Sequence, residues 1–512
     1  MAPRVWYKAT FEESTPAATP ARFATFPRGK SAVMKMNTRS VSLLSSTFLA
    51  TALSLSLAGC ASTDSSNPPT PLQEAQAKNA GNFSNTVFLG DSLTAGYQSG
   101  SLLDTQQVHG WAPLVAKQAS FNIVQPLIAY PGAPNVLQLV SVGPPPVITT
   151  APGTTTGRDN FATQVTDLAV PGALLNDVAN TVPLVNPAPG QQQLNQLVLG
   201  FPGLGYGQAL SQLGFAINAQ PTTVFLWIGN NDALIADITG TPSSMTSVAN
   251  FTTEYQALIT QLTTMTLANL VIANIPDVTQ VPYLQPAALV LAQTSQQTGL
   301  PTPVLSGLLG IVPGDYVNPT GLAEIPLILG GKQKGPIDDA GVLSAAEVVT
   351  VQARVAAFNQ VIAAQAQAAN ATLVDINALF KQLTTSGITI NGYTGTATFL
   401  GGFFALDGIH PTNTGYAVVA NKFIDTMNTA ISTKIPDVAL GPVAAADPFW
   451  PPNLVPHAIS AHALTMPANA GKSIDDLMLV TRRELLKLGG ITAAAEFASL
   501  ALYGCGDEKK VV

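Results

Sequence analysis

The chain has 512 residues, of which only 10% are charged, and its 22 Lys and Arg against 29 Asp and Glu give a net charge of -7. Nucleic-acid binding needs a basic excess, and charge-driven disorder needs high charge with low hydrophobicity, so both classes are excluded for a chain that is 46% apolar. Two cysteines cannot form a disulfide framework, and long apolar runs are missing outside one N-terminal stretch, so the composition indicates a large globular protein.

The first predicted element is an export signal. Residues 41–58 form an apolar stretch without charge that follows two basic residues and precedes small ones, which is the layout of a secretory signal. Its end, LAGC at 57–60, resembles the lipobox of bacterial lipoproteins, in which signal removal leaves the cysteine as the lipid-modified first residue. Residues 1–59 are therefore predicted to be a lipoprotein signal region. The mature protein is expected to be exported and anchored to a cell-envelope membrane through lipid on Cys60.

The start of the chain and the residues after the signal refine this prediction. Residues 1–33 contain acids and prolines, which fit poorly before a signal, so the true start is predicted at Met34 or Met36. Residues 60–85 begin with a Ser/Asn/Pro-rich stretch and are predicted to be a flexible tether. The alternative to a lipoprotein signal is a plain transmembrane anchor that ends by chance in a cysteine.

Between residues 86 and 432, short β-branched runs alternate with longer helical patterns. Near-continuous apolar runs, as expected for strands covered on both faces, occur at Thr86–Gly90, Val165–Val170, Thr222–Ile228, Asn269–Ile275 and Thr372–Ile376. The clearest helical patterns cover Ala346–Ala371 and Gly415–Ile431. The alternation predicts an α/β domain in which a parallel sheet lies between layers of helices. Functional sites of such sheets form at the carboxyl ends of the strands.

Three stretches exceed what such a sheet needs. Insertions at about 101–163 and 278–343 are predicted to be lids, substrate walls or packed surface loops without secondary structure of their own. Residues 433–512 form a Pro/Ala-rich tail followed by an apolar helix of unknown role, and Thr481–Lys487 within it resembles a twin-arginine export signal. Two interpretations of this C-terminus stay open: an amphipathic helix that docks on the domain, or a neighbouring reading frame fused to this one.

Two short motifs carry the groups of a serine nucleophile. The first strand ends in GDSL (Gly90–Leu93), which places Ser92 beside a helix N-terminus, where backbone N–H groups stabilise negative charge. In DGIHP (residues 407–411), Asp407 and His410 are three residues apart, so the carboxylate can orient the imidazole while its other nitrogen faces the serine. Taken singly, the first motif is explained by a capped helix and the second by an ordinary surface turn.

Histidine is scarce in this chain, which has four. His457 and His462 lie in the Pro-rich tail, and His109 has no acidic residue at a comparable spacing. His410 is therefore the best candidate for the base.

Two further motifs follow predicted strands and offer hydrogen-bond donors. In GNND (residues 229–232), Asn231 can point its side-chain N–H groups into the site, while Asp232 would more simply cap the next helix. In VPG (residues 170–172), Gly172 allows close backbone approach, so its N–H can serve as a second donor, although taken alone a plain turn glycine explains this motif better.

Together the four motifs resemble the SGNH/GDSL hydrolase family, over roughly residues 86–430. The specific parts are GDSLTAG, GNND and DGIHPTNTGY, and LAVPG matches more loosely. The resemblance implies a flavodoxin-like three-layer α/β/α sandwich with Ser92 as nucleophile, His410 as general base and Asp407 as its orienting partner. It also implies an oxyanion hole formed by Gly172, Asn231 and the backbone N–H of Ser92. The long spacing between the first two motifs and the large insertion before residue 344 depart from the family pattern.

The resemblance implies a serine esterase or lipase that hydrolyses carboxylic esters, with acyl lipids or acylated envelope glycans as substrates. The sequence shows no metal-ligand cluster, phosphate-binding loop or dinucleotide fingerprint, so neither a metal nor a cofactor is expected. The apolar pieces Leu300–Ile311 and Leu322–Leu329 favour acyl chains slightly, although such pieces are more often core. The alternatives are a catalytically silent ligand-binding lipoprotein and an acyltransferase that uses the same site.

Overall fold

The computed structural model describes residues 81–454, apart from 144 and 156, together with 465–472, 474, 475, 477 and 478. The predicted signal region, Cys60, most of the tether, His457, His462 and the run Thr481–Lys487 lie outside the described residues. Within the described part of the chain, no helix is both long and apolar enough to cross a membrane.

The described β-strands form one parallel sheet and three small antiparallel ones. In chain order they are β1 (Thr86–Gly90), β2 (Leu137–Ser141), β3 (Val147–Thr150), β4 (Thr223–Trp227), β5 (Asn269–Ala273), β6 (Gln285–Pro286), β7 (Tyr316–Val317), β8 (Val342–Leu343), β9 (Thr372–Val374), β10 (Ile388–Ile390) and β11 (Tyr393–Gly395). The parallel sheet has the order β1-β4-β5-β9, and it is the core of the domain.

Four of the five predicted strands are confirmed, with ends shifted by up to two residues. Phe88 of β1 pairs with Phe225 of β4, which pairs with Val271 of β5, and Val271 in turn pairs with Thr372 of β9. The strands are buried along nearly their whole length, because helices cover both faces of the sheet. This is why each strand reads in the sequence as an apolar run rather than as an alternation.

The prediction of a fifth strand at Val165–Val170 is wrong in detail. This segment runs along β1 and hydrogen-bonds to it, but forms a single bridge, between Phe88 and Asp167. The side chain of Gln212 interrupts the ladder at Gly90, because it accepts the Gly90 N–H at 2.9 Å and donates to the Gly90 carbonyl at 3.0 Å. With this edge segment counted second, the spatial order is 2-1-3-4-5, the flavodoxin-like order.

The helices alternate with the strands along the chain. In chain order they are α1 (Ser92–Ala95), α2 (Asp104–Gln107), α3 (Trp111–Gln118), α4 (Leu175–Asn180), α5 (Gln191–Leu199), α6 (Gln212–Ala219), α7 (Asn230–Thr239), α8 (Val248–Met265), α9 (Ala287–Thr298), α10 (Thr302–Leu309), α11 (Pro319–Leu329), α12 (Ala345–Ala368), α13 (Ile376–Thr385), α14 (Asn413–Ala430) and α15 (Leu440–Ala446). Both predicted helices are present, as α12 and α14.

Two hydrophobic clusters show the three layers of the fold. On one face, alternate residues of the sheet such as Leu89 and Leu226 pack with α4 to α8 and α12. On the other face, Phe88, Phe225 and Trp227 pack with α3 and α14. Aromatic stacking strengthens this second layer, since the Phe88 and Phe225 rings lie 4.8 Å apart. The predicted three-layer α/β/α sandwich is therefore confirmed.

The two insertions are folded, contrary to the expectation of stretches without secondary structure. The first contains α2, α3 and the β2-β3 hairpin. The second contains α9, α10, α11 and the small sheet β6-β7-β8, around its own cluster of buried aliphatic side chains. The apolar pieces Leu300–Ile311 and Leu322–Leu329 contribute to this cluster, so they form a local core. The described residues after 432 also pack on the domain, with Trp450 only 3% exposed.

Candidate active site

The start of α1 places Ser92 at the carboxyl edge of the sheet. Asp91 is the N-cap of this helix, and its side chain accepts the N–H of Leu93 at 3.0 Å. Gly90 has no room for a side chain, since a Cβ there would lie 2.5 Å from the carbonyl oxygen of Trp227. The chain therefore requires glycine where β1 ends and α1 begins. This change from strand to helix leaves the Ser92 side chain at the end of the strand.

The structure brings Ser92, His410 and Asp407 into one hydrogen-bonded series. His410 Nε2 lies 2.7 Å from Ser92 Oγ, and His410 Nδ1 lies 3.0 Å from Asp407 Oδ2. All three side chains are buried, with exposures of 5% for Ser92, 3% for His410 and 0% for Asp407. A base between a hydroxyl and an orienting carboxylate is the arrangement that activates a serine.

The carboxylate of Asp407 is held by backbone donors as well as by the imidazole. Its Oδ1 accepts the N–H groups of Ile409 at 3.0 Å and His410 at 2.9 Å, and its Oδ2 accepts the N–H of Gly100 at 2.7 Å. Burial raises the pKa of Asp407, but the charge and hydrogen bonds of His410 and the backbone donors outweigh burial and lower it below 3.8. Asp407 therefore stays ionised, as an orienting partner must.

One buried tyrosine packs against the imidazole and a second supports the first, and neither was predicted as a site residue. The ring of Tyr97 lies 4.7 Å from that of His410. The Tyr97 hydroxyl donates to the carbonyl of Gly100 at 2.6 Å, and the Tyr416 hydroxyl donates to the carbonyl of Tyr97 at 2.6 Å. Tyr97 directly follows GDSLTAG and Tyr416 ends DGIHPTNTGY, so their position beside or within these motifs was the only sequence signal.

Gly172 and Asn231 are the other two residues predicted to donate to an oxyanion. Gly172 has a φ of 78°, which favours glycine. Among the described residues, the N–H groups of Gly172 and Ser92 have no hydrogen-bond acceptor. Asn231 Nδ2 donates one hydrogen to the carbonyl of Ala173 at 2.9 Å and has a second to offer. Each of the three predicted donors thus has an N–H that no described residue accepts, and the oxyanion hole itself stays a prediction.

Asn230 joins the two sides of the site, a role that the sequence did not indicate. Its Nδ2 donates to Asp91 Oδ2 at 2.8 Å, and its own Oδ1 is buried without a partner. Burial raises the pKa of Asp91 to about 6, although the hydrogen bonds from Asn230 and Leu93 lower it. This contact connects the start of α7, which carries Asn231, to the start of α1, which carries Ser92.

Asp232 does not cap its own helix, so that expectation is wrong. The N-cap of α7 is Gly229, and Asp232 lies in the first turn. Its carboxylate instead accepts the N–H of Leu175 at 2.9 Å and the hydroxyl of Thr246 at 2.6 Å. Because Leu175 begins the helix that follows Gly172, this contact holds the two oxyanion-side motifs together. Burial raises the pKa of Asp232 to about 7.

An apolar cavity of about 70 Å³ has in its wall the sequence neighbours of two members of the hydrogen-bonded series. Leu93 and Ile409, the chain neighbours of Ser92 and His410, form part of its wall. The remaining wall includes Leu234, Ile376 and Phe380. A second, more polar groove of about 420 Å³ shares Val281 and Leu383 with this cavity, so the two are neighbours.

No site for a metal is evident in the described part of the chain. No three His, Cys, Asp or Glu side chains come together there in a way that could hold a metal ion.

Comparison with known proteins identifies one family. The family model GDSL-like Lipase/Acylhydrolase matches residues 86–423. No curated protein matches the chain.

The chain is also similar to solved structures of hydrolases, at low identity. An acetyl xylan esterase variant from Geobacillus stearothermophilus is 11% identical over 70% of this chain and 100% of that chain, with a TM-score of 0.32. An alpha/beta hydrolase enzyme from the metagenome of Lake Arreo is 12% identical over 68% and 96%, with a TM-score of 0.31. Phospholipase A1 from Streptomyces albidoflavus is 14% identical over 68% and 100%, with a TM-score of 0.30. Likenesses this distant say nothing about the substrate of this chain.

Proposed function

The chain belongs to the family of GDSL-like lipases and acylhydrolases, and we propose that it hydrolyses carboxylic esters with Ser92 as nucleophile. The observation that carries the proposal is the series from Ser92 Oγ to His410 Nε2 at 2.7 Å and from His410 Nδ1 to Asp407 Oδ2 at 3.0 Å. Ligand binding without catalysis does not require this series, in which three polar side chains are buried and oriented toward one another.

The first half of the reaction forms an acyl-enzyme. Ser92 Oγ attacks the carbonyl carbon of the ester while His410 Nε2 takes the hydroxyl proton, and Asp407 stabilises the imidazolium. The carbonyl oxygen becomes an oxyanion, which accepts hydrogen bonds from Ser92 N–H, Gly172 N–H and Asn231 Nδ2. As the carbon–oxygen bond to the alcohol breaks, His410 gives its proton to the leaving alcohol.

The second half releases the acid. Water loses a proton to His410 Nε2 and attacks the acyl carbon, and the same three donors stabilise the second oxyanion. His410 then returns the proton to Ser92 Oγ as the carbon–oxygen bond to the serine breaks. The sequence of steps restores the enzyme and needs no group beyond this chain and water.

A serine-reactive fluorophosphonate and p-nitrophenyl esters test the nucleophile. Ser92→Ala is expected to abolish labelling and to lower turnover by about 10⁶-fold, as in other serine hydrolases that lose the nucleophile. The control is Ser84→Ala, because Ser84 is an exposed serine whose side chain bonds only to Asn82. Full turnover in Ser92→Ala, or label on another serine of the folded protein, would contradict the proposal.

We propose further that the acid part of the substrate is an alkyl chain longer than acetyl. The apolar cavity is the support, since its wall includes Leu93 and Ile409, the chain neighbours of Ser92 and His410, and is mostly hydrophobic. Each methylene that enters such a cavity contributes about 0.8 kcal/mol, or roughly fourfold in kcat/KM. Acyl lipids fit this requirement better than acetylated glycans.

Filling the cavity tests the acyl-chain proposal. Val281→Phe, at the boundary between cavity and groove, is expected to lower kcat/KM for p-nitrophenyl octanoate at least tenfold and to leave p-nitrophenyl acetate unchanged. The control Val304→Phe enlarges a valine that is 53% exposed on the second insertion, and should change neither substrate. An equal loss for both esters in Val281→Phe would mean that the chain binds elsewhere.

We also propose that the domain is exported and tethered to a cell-envelope membrane through lipid on Cys60. The support is the LAGC sequence at the end of an apolar stretch with a basic start. In bacterial cells given labelled palmitate, the wild type and Cys505→Ser should incorporate label into the membrane fraction, and Cys60→Ser should not. Unlabelled wild-type protein that keeps residues 41–58 would contradict the anchor.

A further inference from the structure

A short segment after the Pro-rich tail lies across the candidate active site. We call residues 465–478, in their described part, the strap. Its buried apolar side chains are Met466, Ala470, Ile474, Leu477 and Met478, with exposures of 2%, 0%, 2%, 4% and 3%. Residues 468–472 are helical, and so are 474, 475, 477 and 478. The spacing of Ala470, Ile474 and Leu477 places them on one face of this helix, turned to the domain, and Met466 lies just before the helix.

The two ends of the strap lie against the two sides of the site. At one end, the sulfur of Met466 lies 2.6 Å from where a Cβ on Gly408 would be, and Gly408 separates Asp407 from His410. At the other end, Leu477 Cγ lies 3.2 Å from where a Cβ on Gly172 would be. The strap therefore extends from the turn of the base to the glycine of the oxyanion side.

Both insertions hold the strap in place through hydrogen bonds. Asn469 Nδ2 donates to the carbonyl of Ile148 in the first insertion at 2.8 Å. The hydroxyl of Thr465 donates to Gln293 Oε1 in the second insertion at 2.7 Å. Residues of both insertions thus hold the strap against the domain.

Tyr283 of the second insertion couples the strap to the turn of the base. Its hydroxyl donates to Asp475 of the strap, and its backbone N–H donates to the carbonyl of Gly408 at 2.9 Å. Gly471 packs so closely that a Cβ there would lie 2.2 Å from Pro319 Cγ and 3.0 Å from Tyr283 Cε2. When the strap is displaced, it loses its contact with Tyr283, which supports the turn of Asp407 and His410.

We propose that the strap covers the entrance of the active site and that an ester reaches Ser92 only when the strap is displaced. This inference rests on the proposed function. The carbonyl carbon of a substrate must come to about 3 Å from Ser92 Oγ, and Ser92 and His410 are only 5% and 3% exposed. Leu477 lies against Gly172, whose N–H must face the substrate oxygen. The strap therefore occupies space that the ester has to enter.

A charge on the apolar face of the strap tests the proposal in the full chain. Leu477→Asp is expected to release the strap, because a buried unpaired carboxylate is unfavourable. The rate of Ser92 labelling by fluorophosphonate and the turnover of p-nitrophenyl butyrate should rise at least tenfold. The matched control Ala468→Asp introduces the same charge at a partly exposed position where the strap helix starts, and should change neither rate.

A cut tests the strap without any substitution in it. A protease site inserted between Leu454 and Thr465 allows the folded protein to be cleaved. Cleavage should raise both rates as Leu477→Asp does, while the uncut insertion protein should match the wild type. Hydrogen exchange read by mass spectrometry adds a measurement that needs no catalysis. Peptides that contain Gly172 and Gly408 should exchange at least tenfold faster after cleavage and in Leu477→Asp.

Each outcome decides between the strap and the proposed function. If hydrogen exchange became faster but Ser92 were not labelled in the wild type, the cleaved protein or Leu477→Asp, the strap would still be supported as a cover of the site. The proposal of a serine esterase would then be contradicted. Unchanged labelling and unchanged exchange in both altered proteins would overturn the strap. Faster exchange with lower turnover and a lower Tm would also overturn it, since the segment would then support the site instead of closing it.

Discussion

The turn that carries Asp407 and the helix start that carries Asp91 each place a fully buried carboxylate at the site, yet their surroundings differ. Asp407 accepts hydrogen bonds from three backbone N–H groups and from His410, and its pKa lies below 3.8. Asp91 accepts two, from Leu93 and Asn230, and burial raises its pKa to about 6.

The difference teaches what determines the charge of a buried acid. Burial alone favours the neutral form, and only enough donors and an opposite charge reverse it. The Asp407 turn supplies both, so its carboxylate can orient and stabilise an imidazolium. At Asp91, two donors and the charge of His410 also lower the pKa, but they do not outweigh burial, so Asp91 acts as a helix cap and as the link to Asn230. The same change, Asp to Asn, should therefore have very unequal effects at the two positions.

The largest effect is expected at Asp407, the carboxylate that accepts more hydrogen bonds. Asp407→Asn should lower kcat by about 10⁴-fold, because an amide cannot hold the imidazole in the proton-accepting tautomer. Its Nδ2 would also face the N–H of Gly100, so Tm should fall as well. Steady-state kinetics with p-nitrophenyl butyrate and circular dichroism measure the two effects. Unchanged turnover would mean that another group orients His410.

A smaller effect is expected on the oxyanion side. Asn231→Ala should lower kcat by about 10²- to 10³-fold with little change in KM, because its side-chain N–H is needed only when the oxyanion forms. The neighbouring Asn230→Ala should cost less than tenfold in kcat, since that amide points to Asp91. If the two variants lost equal activity, Asn231 would not have a distinct role in the reaction.

At Asp91 the same substitution as at Asp407 is expected to be mild. Asp91→Asn keeps one oxygen for the N–H of Leu93, and its new amide can donate to Asn230 Oδ1 once that side chain rotates by half a turn. Asn230 Oδ1 has no partner in the described residues, so this contact is available. We expect a loss in kcat below tenfold. A loss near that of Asp407→Asn would show that the negative charge of Asp91 acts on His410.

The dependence of stability on pH is expected to have opposite signs at the two acids. The raised pKa of Asp91, about 6 against 3.8, means that its favourable contribution is complete below about pH 4 and is lost as the pH rises through 6. Asp91→Asn should therefore gain unfolding free energy relative to wild type between those values. The lowered pKa of Asp407 predicts the reverse, because its contribution to stability is complete above about pH 4 and is lost in acid. The unfolding free energy that Asp407→Asn lacks relative to wild type should therefore become smaller in acid.

Urea unfolding of the three proteins at a series of pH values measures both curves. A parallel pH dependence in wild type and Asp91→Asn would mean that Asp91 titrates near its ordinary value.

Several parts of the fold were predictable because their signals are local. Strands buried on both faces read as apolar runs, and α12 begins at Ser344 with a capping box to Glu347 that is visible in the sequence. The edge segment 165–170 was misjudged because Gln212, far along the chain, takes the N–H that the ladder needed. The role of Asp232 was misjudged for the same reason, since its partners Leu175 and Thr246 are distant in sequence.

The sequence by itself determined the α/β architecture, the family pattern and the residues offered to the chemistry, because these depend on short motifs at strand ends. Only the tertiary structure decided that Ser92 and His410, more than 300 residues apart, come within 2.7 Å, and that Asp407 is ionised. It alone revealed the apolar cavity and the strap, both of which assemble side chains from separate elements. Local preferences can be read along a chain, whereas distances, burial and the resulting pKa values depend on which distant residues pack together.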